Sequence, residues 1–175
     1  MNHFTTRPTI TALAVIAAVT LLTACGGLEQ SVDIEKLKTA PVLSAPFGAG
    51  QTGRSTTADG NFYISYTYTT AAGTGISMQW QANTEGSSSV RWSEEAAEKI
   101  ATKQITGATV TDVVPLSPAP QWAMAWTGSI QEYPAFAQVW ERGKCSAIVM
   151  ASLPAAELEA PLTAIDAQLR EACGD

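Results

Sequence analysis

Histidine is almost missing from this 175-residue chain: the single one is His3. Everything downstream therefore lacks an imidazole, which excludes Ser-His-Asp and Cys-His catalysis, His-ligated zinc and a neutral-pH histidine base. Lysine is scarce as well. None of Lys36, Lys38, Lys99, Lys103 or Lys144 has Ser or Thr three residues before it, so the S-x-x-K arrangement of a Ser-Lys nucleophile is absent. Positive charge is in deficit, with 10 Lys and Arg against 16 Asp and Glu. Such a balance is wrong for nucleic acid, whose phosphates demand a basic surface. No cofactor or metal signature stands out. The apolar run Ile10–Leu22 is too short to span a bilayer as a mature helix, which takes roughly 20 residues.

That run has another use. A short polar start with Arg7 precedes it, and it ends in Leu22-Thr23-Ala24-Cys25 followed by Gly26-Gly27. Its length suits the h-region of a secretory signal. The four-residue ending matches the lipobox of bacterial lipoproteins: Leu three before the cysteine, two small residues, then the cysteine. The resemblance implies diacylglycerol transfer to the Cys25 sulfur and cleavage between Ala24 and Cys25. Each buried lipid CH₂ contributes about 0.8 kcal/mol, so two palmitate-like chains anchor a protein stably. Residues 1–24 then form the signal peptide, and the mature chain has no histidine. Losing Arg7 leaves nine basic and sixteen acidic residues, net −7. Electrostatic adhesion to anionic lipid is thereby disfavoured, and the lipid itself must hold the protein on the extracytoplasmic face of the cell membrane. Abundant alanine with little lysine points to a GC-rich genome such as an actinobacterium's.

From Gly26 to about Thr57 periodicity is weak. Pro41, Pro46 and the stretch Gly48-Ala49-Gly50-Gln51-Thr52-Gly53 read as a flexible tether over residues 25–58, with a short helical patch around Ile34–Leu37. The glycines spell G-x-G-x-x-G, but no buried strand precedes them and no helix follows, so the dinucleotide reading fails. The globular domain is expected at 59–175. Phe62, Ile64, Tyr66 and Tyr68 alternate with polar residues, as do Ile76, Met78, Trp80 and Ala82; around the loop Ala71–Gly75 they predict a hairpin. Ser93 is an N-cap for a helix over about 93–105, with Glu94 and Glu95 in its first turn and Gly107 as its C′ residue. Those adjacent carboxylates diverge by about 100° around the helix and do not make a catalytic pair. Strands are predicted at 109–116, 122–128, 136–142 and 144–153, the last two joined by a tight turn at Gly143. A helix over about 161–172 closes the chain.

Two cysteines remain beside Cys25. In an oxidising compartment Cys145 and Cys173 are expected to pair. A strand of about eight residues from Cys145 travels roughly 26 Å, and a returning helix of about 13 residues covers close to 20 Å, so the second cysteine comes back near the first.

The element order β-β-α-β-β-β-β-α predicts an α+β domain: an antiparallel sheet of about six strands with two packing helices. The order resembles the Mog1/PsbP-like fold of small actinobacterial envelope lipoproteins of the LpqN type, over roughly 59–173. It carries the architecture and no functional residues; a cystatin-like sheet-and-helix domain is the alternative. Trp122, Met124 and Trp126 share one strand face. Beneath a helix they are core; left open they form a binding surface. The expected function is a non-catalytic, membrane-anchored envelope module that binds a protein, lipid or glycan. The alternatives are a histidine-independent enzyme using converging carboxylates and a phage or prophage lipoprotein that excludes superinfection.

Overall fold

The structure is a computed structural model and describes residues 31–58, 60–84 and 92–174. The signal segment, Ala24, Cys25 and the polar loop expected at 85–89 lie outside the described residues. Seven strands form one sheet: β1 (Gln51–Ala58), β2 (Asn61–Thr69), β3 (Gly75–Asn83), β4 (Thr106–Thr111), β5 (Ala123–Ile130), β6 (Tyr133–Arg142) and β7 (Cys145–Ala151). Three helices accompany them: α1 (Ile34–Leu37), α2 (Glu94–Gln104) and α3 (Glu159–Cys173). The spatial order is β1-β2-β3-β7-β6-β5-β4, with every pair antiparallel. A three-stranded meander and a four-stranded meander thus join through the β3–β7 pair, and α2 is the crossover between them. The α+β class and the antiparallel sheet are as expected, and α1 falls on the helical patch expected at Ile34–Leu37; the seventh strand, β1, is the addition.

One face of the sheet carries the larger core. Phe62, Ile64, Tyr66 and Tyr68 of β2, and Ile76, Met78, Trp80 and Ala82 of β3, are all buried on it. Leu162, Ile165, Leu169 and Ala172 of α3, which lies against β6 and β7, belong to the same core. Tyr66 and Trp80 meet edge to face, with centroids 5.6 Å apart. Each such large side chain contributes roughly 1.5–3 kcal/mol by leaving water. On the opposite face α2 lays Ala97 and Ala101 over β4–β6, with Ile105, Trp126, Ala137, Val139 and Ile148 forming a second core. Small residues on α2 let the helix approach the sheet closely.

The expected tether at 25–58 is corrected by the structure from residue 31 onward. Leu37 is fully buried and Leu43 nearly so. The phenolic hydroxyl of Tyr66 donates to the Leu37 carbonyl at 2.7 Å, and that of Tyr68 to the Pro41 carbonyl at 2.7 Å. Two tyrosines of a central strand therefore hold the segment that precedes β1. Burial pushes the Tyr66 pKa up to about 12, and burial with the neighbouring Tyr66 raises that of Tyr68 further. The glycines read as linker residues serve a close approach: a Cβ on Gly50 would lie 2.5 Å from the Tyr68 ring, and one on Gly53 would lie 2.6 Å from the Ser65 hydroxyl.

Ser93 caps α2 as expected, accepting from the Ala96 N–H at 3.1 Å. Gly107 does not close that helix. The helix ends with Ile105 already extended, and Gly107, at φ +66, sits within β4 where the pairing with β5 shifts register. The strand expected at 109–116 stops at Thr111. Pro115, Pro118 and Pro120 cannot sustain a ladder, and the Gln138 amide takes both backbone hydrogen bonds of Val114, at 2.8 and 3.1 Å. The turn between β6 and β7 holds: Arg142 pairs with Cys145 and Gly143 has φ +50. The Cys145 and Cys173 sulfurs lie 1.96 Å apart, at disulfide distance. On the chain-entropy account, closing that loop stabilises the fold by about 3.5 kcal/mol.

Candidate functional site

The strand face expected as a binding surface is largely core. Trp126 is 1% exposed beneath α2, while Trp122 and Met124 are half-buried at the edge of the same cluster, beside Trp92. Of the three side chains only Trp126 is closed to solvent. Glu94 and Glu95 are solvated in the first turn of α2. No group of three or more His, Cys, Asp or Glu that could hold a metal occurs among the described residues.

The most elaborate polar cluster is buried between α3 and β6. Asp166 is 2% exposed and Arg142 1%. Nε and Nη2 of Arg142 each donate to the Asp166 carboxylate at 2.8 Å, and Trp140 Nε1 donates to the same carboxylate at 2.9 Å. The guanidinium also donates to the backbone carbonyl of Ala119 at 2.9 Å and to that of Pro118. All three nitrogens of the Arg142 guanidinium are thus engaged in holding α3, β6 and the 117–119 loop together. A charge pair so fully satisfied and closed to solvent is a structural clamp with no access for substrate.

A solvent-facing polar surface lies on the α2 side of the sheet, over β1–β3, where α2 does not reach. Alternation puts Tyr63, Ser65 and Thr67 of β2 and Ser77 and Gln79 of β3 on that face, opposite the large core. The third wall comes from β1. Its register with β2 shifts between Thr52 and Ser55, and this bulge brings Arg54 against Ser65: the Ser65 hydroxyl accepts from the Arg54 N–H at 2.9 Å. Bulges of this kind re-aim a side chain at a sheet edge. Arg54, Thr56, Tyr63, Ser65 and Gln79 surround a hollow of about 270 Å³, and no carboxylate lines it among the described residues. Hydroxyls, an amide, one aromatic ring and one guanidinium can bind a hydroxyl-rich or singly anionic group. They offer no paired nucleophile and base.

A wider depression of about 590 Å³ lies on the solvent side of the start of α3, lined chiefly by Ala156, Ala160, Ala164 and Ala167 with Glu157 and Glu159. Its polar lining is Glu157, Glu159 and the Thr163 hydroxyl on an otherwise alanine surface. Reading residues 51–58 as tether hid Arg54 and Thr56 from the sequence view. The usable signal was the run Ser55-Thr56-Thr57, whose hydroxyl-bearing and β-branched residues favour a strand.

No family model matches the chain, and no curated protein or solved structure matches it either.

Proposed function

We propose that this chain is a membrane-anchored extracytoplasmic lipoprotein, acylated on Cys25, whose folded domain is a non-catalytic envelope-binding module. The observation that carries the reading is Leu22-Thr23-Ala24-Cys25 at the end of an uncharged apolar run. The Cys145–Cys173 pair supports it, since disulfides persist in oxidising compartments. The polar hollow over β1–β3 supports the binding role. Its hydroxyl, amide and guanidinium groups suit a hydroxyl-rich envelope glycan with an acidic substituent, Tyr63 offering a ring for a sugar face and Arg54 a bidentate partner for the acid.

Expression in a bacterial host with a labelled fatty acid tests the anchor. The wild-type chain is expected to take up label and to sediment with membranes. Cys25→Ala is expected to do neither, while keeping the same far-ultraviolet spectrum. Membrane association of Cys25→Ala, or wild type without label, refutes the reading.

A further inference from the structure

Relocating residues 31–58 from tether to fold fixes how the domain can meet its membrane. Residue 33 is already part of the folded unit: the Asp33 N–H donates to the Ala172 carbonyl in the last turn of α3 at 2.8 Å. Gln168 donates to the carbonyls of Lys36 and Thr39 at 2.6 Å each, so α1 is tied along α3. Lys36 and Glu171 add a surface ion pair at 3.5 Å. The end of α3 in turn abuts the β6–β7 turn, where a Cβ on Gly143 would lie 2.2 Å from the Cys173 carbonyl oxygen. The chain therefore enters the domain at one pole of the sheet, the pole of Gly143 and the α3 C-terminus. The hairpin loop Thr70–Thr74 lies at the opposite pole, because Cys145 pairs with Ala82 at the end of β3 and not with Gly75 at its start.

We propose that the pole formed by α1, the α3 C-terminus and the Gly143 turn faces the lipid surface, with the Thr70–Thr74 loop directed away from it. The proposal rests on acylation of Cys25. Only six residue steps separate Cys25 from Ser31, which allow at most about 22 Å however that stretch is arranged. The nine residues of β3 separate the two poles by about 30 Å. An inverted domain with the Thr70–Thr74 loop on the bilayer is therefore out of reach. Charge at the anchored pole is mixed and close to balance, with Lys36, Lys38, Lys144 and Arg170 against Asp33, Glu35 and Glu171, so the orientation is argued from chain length.

The test uses the full acylated chain in phosphatidylcholine vesicles whose headgroups carry a nitroxide quencher. A fluorophore is attached at Glu35→Cys, near the anchored pole, or at Ala72→Cys in the distal loop; both positions are exposed. The Glu35 label is expected to be quenched several-fold more than the Ala72 label. Inserting a flexible Gly/Ser stretch of roughly 40 residues after Gly27, with a root-mean-square span of about 35 Å, is expected to bring the ratio close to one. Equal quenching with the native spacing overturns the orientation. A contrast that survives the insertion overturns the tether as its cause. A chain that carries no fatty acid and leaves the vesicles overturns the acylation on which both depend, a result distinct from either of the others.

Discussion

Replacing Asp166 by alanine is expected to be among the most damaging single substitutions in the domain. The carboxylate accepts from Arg142 through two nitrogens at 2.8 Å and from Trp140 at 2.9 Å, and both Asp166 and Arg142 are closed to solvent. Without it the guanidinium keeps only the carbonyls of Ala119 and Pro118, and a buried cation loses its counter-charge. Breaking a buried pair from one side costs about 3–5 kcal/mol. The orphaned indole N–H of Trp140 belongs to the same loss and is not added separately. Against a domain stability of about 5–15 kcal/mol, that is a large share.

Urea unfolding followed by circular dichroism, with the disulfide intact, measures the loss. A cycle with Arg142→Met separates the pair from its surroundings. Met fills much of the Arg volume without charge, so Asp166→Ala in the Arg142→Met background is expected to cost at least 2 kcal/mol less than in wild type, within the range of coupling for residues in one network. Additivity within about 0.5 kcal/mol, or a single-mutant cost below about 1 kcal/mol, would refute the view of this cluster as a charge clamp.

Two further outcomes follow from the packing. Gly143→Val is expected to destabilise by about 2 kcal/mol or more, because the residue has φ +50 and its Cβ would run into the Cys173 carbonyl; the same urea titration reads it, and a neutral result would show that the turn can open without cost. Burial raises the folded pKa of Tyr66 to about 12 and that of Tyr68 further, so both phenols are held neutral in the fold. Stability from this source is complete below the unfolded value near 10 and is lost as pH rises through the folded values. In a Tyr63→Phe, Tyr133→Phe background, which leaves Tyr66 and Tyr68 as the two phenols, unfolding free energy measured from pH 9 upward is therefore expected to fall together with the appearance of tyrosinate absorbance, and tyrosinate forming in that chain while fully folded near pH 10 would contradict it.

The strands that the sequence reveals most readily are those whose two faces differ. In β2 the apolar set Phe62, Ile64, Tyr66 and Tyr68 is wholly buried and its polar partners are not, and β3 repeats the pattern as far as Trp80, beyond which Gln81 is buried as well. Alternation sets both register and facing, and the observed pairing Tyr66↔Met78 and Ile64↔Trp80 follows from it. Helix α2 was legible from Ser93 and α3 from its spaced Leu and Ile residues. Strand β1 was not, because residues 51–57 bury little and the strand owes its place to pairing with β2. Its glycines look like linker residues in sequence, yet Gly50 and Gly53 are there because Tyr68 and Ser65 leave no room for a Cβ. Gly107 misled for a related reason: positive φ serves a bulge in a strand as well as it serves a helix end.

The same contrast between strands explains where the candidate site lies. Strand β6 reads Ala135-Phe136-Ala137-Gln138-Val139-Trp140 and β7 reads Ala147-Ile148-Val149, runs apolar on both faces, and both are covered on both sides. Near-continuous apolar runs are the mark of a strand with two packed faces, whereas strict alternation marks one face left to water. Strands β2 and β3 alternate in sequence, so most of their second face is left to solvent, the buried Gln81 beside β7 excepted, and α2 sits over β4–β6, where Trp126, Ala137 and Val139 need cover. Two walls of the polar hollow, Tyr63 with Ser65 and Gln79, are thus implied by periodicity alone. The third wall required knowing that Arg54 belongs to a bulged edge strand. That depends on close backbone approach at Gly53, which no hydrophobic pattern records.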